Sequence, residues 1–209
     1  MMSFIEKIMN LKQYVCLCFL PLMLSACALA GGSNKPEAII YDLNTSKAAS
    51  AIKGQLSRQI IIAEPKTLET LNSKSIIVKS SARGTISFLG LAEWIDVLPL
   101  VVQTQLLRGF ENAGALGRVG VPGEQLRSDL LLVSDIRSFN VIDNGTQLIA
   151  SVEISVKIIN DNNGAVLAAK LFKAQKPVTI AKSDSMVASL NTAFQDVLLD
   201  IVKWTTAKF

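Results

Sequence analysis

Between residues 148 and 158 apolar and polar positions alternate almost without fault. Leu148, Ala150, Val152, Ile154, Val156 and Ile158 are set against Ser151, Glu153, Ser155 and Lys157. A period of two sends successive side chains to opposite faces, so this segment predicts a strand with one apolar face and one mostly wet face. Turn sequences bracket it. Asp143-Asn144-Gly145-Thr146 precedes it and Asp161-Asn162-Asn163-Gly164 follows, both rich in the Asn and Gly that tight hairpins need. Upstream, Leu131 and Val133 lie on one parity, Ile136 on the other, and Phe139 and Val141 on the first again. That phase slip predicts a long strand over 129–141 broken by a bulge. Ala165 to Ala174 is the returning strand, which completes an antiparallel meander.

The first half of the chain is written in shorter apolar runs. Ala38–Leu43, Gln59–Ala63, Ser75–Lys79 and Thr85–Leu89 predict strands, with Ala82-Arg83-Gly84 as the turn before the last. Leu116–Val121 predicts another, closed by Pro122-Gly123. Two stretches have a helical period instead. Ile95, Leu98, Val102, Leu106 and Phe110 recur at steps of three and four, with Asp96 as N-cap, Pro99 in the first turn and Gly114 as the stop. Trp94, just ahead of that cap, is expected to pack the helix entry against the sheet. The second helix runs from about Ser185 to Lys208, with Asp184 available to cap it and Leu190, Phe194, Val197, Ile201 and Trp204 in one stripe. The sum is α+β: an antiparallel sheet with two main helices packed on one face, in one domain over 37–209.

The N-terminus follows a different pattern. Lys7 and Lys12 precede an almost wholly apolar run from Tyr14 to Leu24, and Leu24-Ser25-Ala26-Cys27 comes next. A basic zone, an apolar zone too short to span a bilayer and a small-residue cut site describe a secretory signal. The cysteine makes it a lipobox. Residues 1–26 are therefore read as a cleaved lipoprotein signal peptide. Cys27 is the lipidation site, carrying diacyl and N-acyl (palmitate-type) chains. Residues 27–36 form a tether, extending at most ~30 Å. Each buried methylene contributes about 0.8 kcal/mol, so several acyl chains anchor the protein durably. Ala28, where an aspartate would mark inner-membrane retention, favours the periplasmic face of the outer membrane.

Composition narrows the chemistry. The net charge of +4 falls to +3 once Lys7, Lys12 and Glu6 leave with the signal peptide, and no Lys/Arg run marks a nucleic-acid surface. The chain has no histidine, so the usual neutral-pH base and metal ligand are missing. Cys16 and Cys18 lie in the segment to be removed. No metal, cofactor or catalytic activity is therefore expected. Glu93 and Asp96, a carboxylate pair beside Trp94, read most simply as the start of a helix. Gly117-Arg118-Val119-Gly120 imitates an RNA-binding loop but lacks basic surroundings. Trp94 and the glycine-rich connection with Gly117 and Gly120 are the candidate partner contacts, although Trp94 is expected to be buried.

Tyr41-Asp42-Leu43 after a lipobox, Ala92-Glu93-Trp94 followed by Pro99, the long strand to Phe139, the hairpin turn at 161–164 and a terminal helix with Trp204 resemble, in that order, the ABC-type transport auxiliary lipoproteins. Ile60–Ala63 with Pro65 keeps the family's strand and proline, while Phe88 stands where a tyrosine is usual. The resemblance implies a lipoprotein working with an ABC permease and ATPase and an MCE-domain (MlaD-like) periplasmic protein. Such systems move lipids or other hydrophobic molecules between the inner and outer membranes. It also makes a homo-oligomer matching a ring-forming partner conceivable. The competing expectation is an outer-membrane assembly or structural lipoprotein unrelated to ABC transport.

Overall fold

The computed structural model describes residues 37–44, 56–115 and 117–209. The signal peptide, Cys27 and the tether lie outside the described residues.

The meander forms as its alternation predicts. Strands β7 (Leu130–Asp143), β8 (Leu148–Asn160) and β9 (Val166–Pro177) pair antiparallel in sequence. The bulge is present: the β7–β8 register shifts between Ile136 and Ser138, leaving Arg137 as the extra residue. This returns Phe139 and Val141 to the face that holds Leu130, Leu132 and Ile136. All five are at most 1% exposed. The turns use the expected glycines, Gly145 at φ 87° and Gly164 at φ 73°, a backbone region that glycine enters without steric cost.

The sheet is mixed rather than purely antiparallel. β8 takes one edge of β7 along its length. The other edge is shared by β2 (Ile60–Ile62), β3 (Lys66–Thr67) and β4 (Ser75–Ser80), all parallel to β7. These three are in effect one strand interrupted twice, near Pro65 and at the single turn Glu69–Leu71. Pro65 carries no N–H to give to a ladder. β5 (Thr85–Trp94) pairs antiparallel with β4. β1 (Ile39–Tyr41) pairs parallel with β5, and β6 (Val119–Gly120) pairs parallel with β2. Among the described residues these nine strands make one sheet.

Two helices back it. α1 (Leu98–Phe110) has Val97 as N-cap, one residue later than expected. The Asp96 carboxylate accepts the Val97 N–H at 2.7 Å, and Pro99 sits in the first turn. Leu98, Val102, Leu106 and Phe110 are buried as their spacing predicts, but Ile95 precedes the helix and is exposed. The helix widens into a π turn over Glu111–Ala115 before Gly114, at φ 91°, ends it. α2 (Ser183–Thr206) is capped at Lys182 and lays Leu190, Phe194, Val197 and Ile201 on the sheet, each at most 1% exposed. Burying each such side chain contributes roughly 1.5–3 kcal/mol. The centre of the core is aromatic. Trp94 meets Phe139 edge-on with centroids 5.7 Å apart, and Phe139 meets Phe194 at the same distance. Where the helices touch, Gly109 lets α1 approach Leu198 and Val202 of α2; a Cβ there would lie 2.9 Å from Leu198 Cδ1.

Candidate functional site

The structure takes Trp94 out of the set of partner contacts. It is 1% exposed, its backbone N–H donates to the Lys74 carbonyl, and its ring packs on Phe139. A ring enclosed on all sides has no face left for a partner; its role is to tie the end of β5 to the core. Gly120 is also buried, on β6 beside Ile61, where a Cβ would collide with the side chains of Leu126 and Glu124. Both contacts are with the ends of flexible side chains, so Gly120 is closely packed without the site being restricted to glycine. Gly117 is exposed, so the three residues do not form one surface. Glu93 and Asp96 are both exposed, and Asp96 is engaged by its neighbour's amide. Among the described residues no three of His, Cys, Asp and Glu gather as a metal site.

The surface that does stand out is the β1–β5 edge. β5 is ten residues long, but β1 covers only Ala92, Glu93 and Trp94. From Thr85 to Leu91, among the described residues, one backbone edge of β5 has no strand beside it. Between the pairs Ser75↔Glu93 and Ile77↔Phe88, β4 advances two residues while β5 advances five. The surplus forms a bulge at Leu89-Gly90-Leu91. Leu91 adopts φ 57°, a left-handed conformation costing a non-glycine residue roughly 1 kcal/mol, and is half exposed. Ile86 faces Lys79 across the hairpin and Phe88 faces Ile77, so these four share one side of the sheet. Phe88 is 60% exposed and Ile86 51%. The apolar alternation of Thr85–Leu89 was visible in the sequence. What it did not show is that Ile86 and Phe88 stay exposed in the described fold while Ile77, on the same side, is buried in the core.

Past the C-terminal ends of β1 and β5, away from that free stretch, lies a groove of about 230 Å³, between Asp42 at the end of β1, Ile95 and Asp96 in the loop, and Leu100, Thr104 and Arg108 of α1. Two carboxylates and one guanidinium give its rim mixed charge. β1 itself is fastened by Tyr41, whose O–H donates to the Asp184 carboxylate in the first turn of α2 at 2.5 Å. Asp184 thus serves as acceptor for the phenol in addition to placing negative charge at a helix N-terminus. The donation to Asp184, then burial, then the nearby negative charge all push the Tyr41 phenol above its ordinary pKa of 10.0.

The class this fold defines is a single α+β domain in which a curled mixed sheet is backed by two helices. The family model for the ABC-type transport auxiliary lipoprotein component matches residues 41–202, and the chain belongs to that family. The family is described as the lipoprotein component auxiliary to ABC-type transport. The fold is similar to a crystal structure of a Xanthomonas campestris protein, with TM-score 0.75 and 23% identity over 81% of this chain and 95% of that one. A crystal structure of an uncharacterized protein is similar at TM-score 0.62 and 14% identity, over 80% and 98% of the two chains. In sequence, the chain is 26% identical over 179 residues to an uncharacterized protein of Bradyrhizobium diazoefficiens. The match covers 85% of this chain, which spans about half the length of that relative (47%).

Proposed function

We propose that this protein is the lipid-anchored periplasmic auxiliary component of an MCE-type ABC transport system, held at the outer membrane through Cys27. It docks the periplasmic MCE-domain assembly, which passes lipids or other hydrophobic molecules between the two membranes, and performs no chemistry of its own. The observation that carries this reading is the family match, which spans nearly the whole described domain. Two features support its finer parts. The Leu24–Cys27 lipobox followed by Ala28 suits an outer-membrane anchor. The free strand edge and, separately, the mixed-charge groove at the C-terminal ends of β1 and β5 suit docking more than catalysis.

The test is crosslinking in intact envelopes followed by capture of the protein. Recovery of an MCE-domain protein together with an ABC permease or ATPase is the expected result. Recovery of a β-barrel assembly or exporter in their place would favour the structural-lipoprotein alternative. Fractionation of the same envelopes, with Cys27→Ala beside the native chain, checks the anchor. The native protein should sediment with outer membrane and the variant should be released.

A further inference from the structure

From Ser75 to Ala92 the hairpin of β4 and β5 contains no carboxylate; its only charged side chains are Lys79 and Arg83. Lys79 shares a side of the sheet with exposed Ile86 and Phe88, and Arg83 lies in the turn. The next charge on that side is Glu93, eight residues from the end of the turn, which marks where the patch stops. An apolar, aromatic-tipped hairpin whose own charges are both cations, with Asp143 of β7 beside Ser80 and its carboxylate engaged by the Gly145 N–H, matches the boundary between acyl chains and anionic headgroups. The unpaired backbone edge of β5 still needs hydrogen-bond partners, which headgroups and their water provide and hydrocarbon does not.

The direction of the chain agrees. β1 runs parallel to β5, so the start of β1 is its end nearer the Ser81–Gly84 turn. The ten peptide steps from Cys27 to Glu37 reach at most about 35 Å.

We propose that the β4–β5 hairpin rests on the anionic phospholipid surface in which the protein is anchored, with Ile86 and Phe88 in the interface and Lys79 and Arg83 on lipid phosphates. This would fix the orientation of the domain on the membrane. It rests on the Cys27 anchor of the proposed function, and the experiment separates the two.

The acylated protein is reconstituted in vesicles of phosphatidylethanolamine and phosphatidylglycerol, with Phe88→Cys carrying an environment-sensitive fluorophore. Signal processing removes Cys16 and Cys18 and acylation occupies Cys27, so the new thiol is the single reactive one. Asn162→Cys, in the turn at the far end of the sheet and ~40 Å away along β7, is the reference. The expected result is blue-shifted emission at 88, quenched by nitroxide lipids, with no such change at 162. Lys79→Gln and Arg83→Gln should each lower the docked-to-undocked ratio about fivefold, since one cation near an anionic surface is worth roughly 1 kcal/mol. Ile86→Cys repeats the measurement should the first label perturb folding. Protein that floats with vesicles while both probes stay water-exposed overturns the docking. Protein that does not float overturns the anchor, and the docking with it. A probe shielded only at high protein-to-lipid ratio, without lipid quenching, assigns the hairpin to contact between proteins and overturns the lipid assignment.

Discussion

The β7–β8 and β4–β5 hairpins are both antiparallel, both rich in β-branched residues and both closed by short turns, yet they end in opposite environments. Along β8, Ala150, Val152, Ile154, Val156 and Ile158 are completely buried beneath the helices. Along β5, Ile86 and Phe88 are left exposed by the described fold, and only the last residues, Ala92 and Trp94, return to the core. Alternation states that a strand has an apolar side; it does not state what meets that side. In β8 the partner is α2 of the same chain. In the tip of β5 it is supplied from elsewhere.

Substitutions at the two ends of β5 should therefore differ most. Trp94→Ala removes a fully enclosed ring and its edge-on contact with Phe139, and should cost about 3–5 kcal/mol in urea melts. A loss below ~1 kcal/mol would place the end of β5 with the exposed tip instead of the core. Next is Gly109→Val, which drives a branched side chain into Leu198 and Val202 at the α1–α2 contact. Overpacking there should cost roughly 1–3 kcal/mol, read as a lower melting midpoint.

Tyr41→Phe should cost roughly 0.5–1.5 kcal/mol, since Asp184 stays accessible to water when the phenol is removed. The same pair predicts a pH response. Ionising Tyr41 abolishes its donation and sets two anions side by side, which is why its folded pKa is raised above 10.0. The contribution is therefore complete below pH 10.0 and is lost as pH rises through the folded value. In protein beginning at Cys27, which lacks Tyr14, the tyrosinate absorbance reports Tyr41 alone. A midpoint at or below 10.0 would count against the bond. The smallest effect belongs to the tip: Phe88→Ser should change stability by no more than about 0.5 kcal/mol. A larger loss would mean that Phe88 is covered by the fold after all.

The parts of the fold legible in the sequence are those whose determinants are local. The meander, the presence of a bulge in β7, its two glycine turns and most of the stripe of each helix follow from period and turn chemistry over a few residues, although the bulge at Arg137 puts Leu130 and Leu132, and not Leu131 and Val133, on the face of Phe139 and Val141. The parallel seam was not legible. Ile60 pairs with Leu130, and Ile77 with Asn140, across more than sixty residues, and a short apolar run carries no mark of strand direction. Asp96 was expected as N-cap because its residue type is favoured there, but the backbone geometry gives that place to Val97. For the candidate site, burial of Trp94 followed from its position ahead of an amphipathic helix. Gly120 was singled out by a glycine spacing that reflects close packing against Leu126 and Glu124. The exposed edge of β5 was missed because exposure there depends on how short β1 is, and three residues of pairing cannot be read from composition.

The seam along β7 also sets an order of assembly. β7, β8 and β9 pair across turns of a few residues, and their loop-closure cost is small. β2 and β4 find their places only against a β7 that already exists, and such long-range parallel pairing is slow. When the chain is delivered N-terminus first, Ile60–Ile62 waits unpaired, and β4, paired only with β5, keeps its other edge open until residue 143 has followed. Folding of this domain is thus paced by the arrival of its second half, and the interval before that arrival is when the first half most needs shielding from association with other chains.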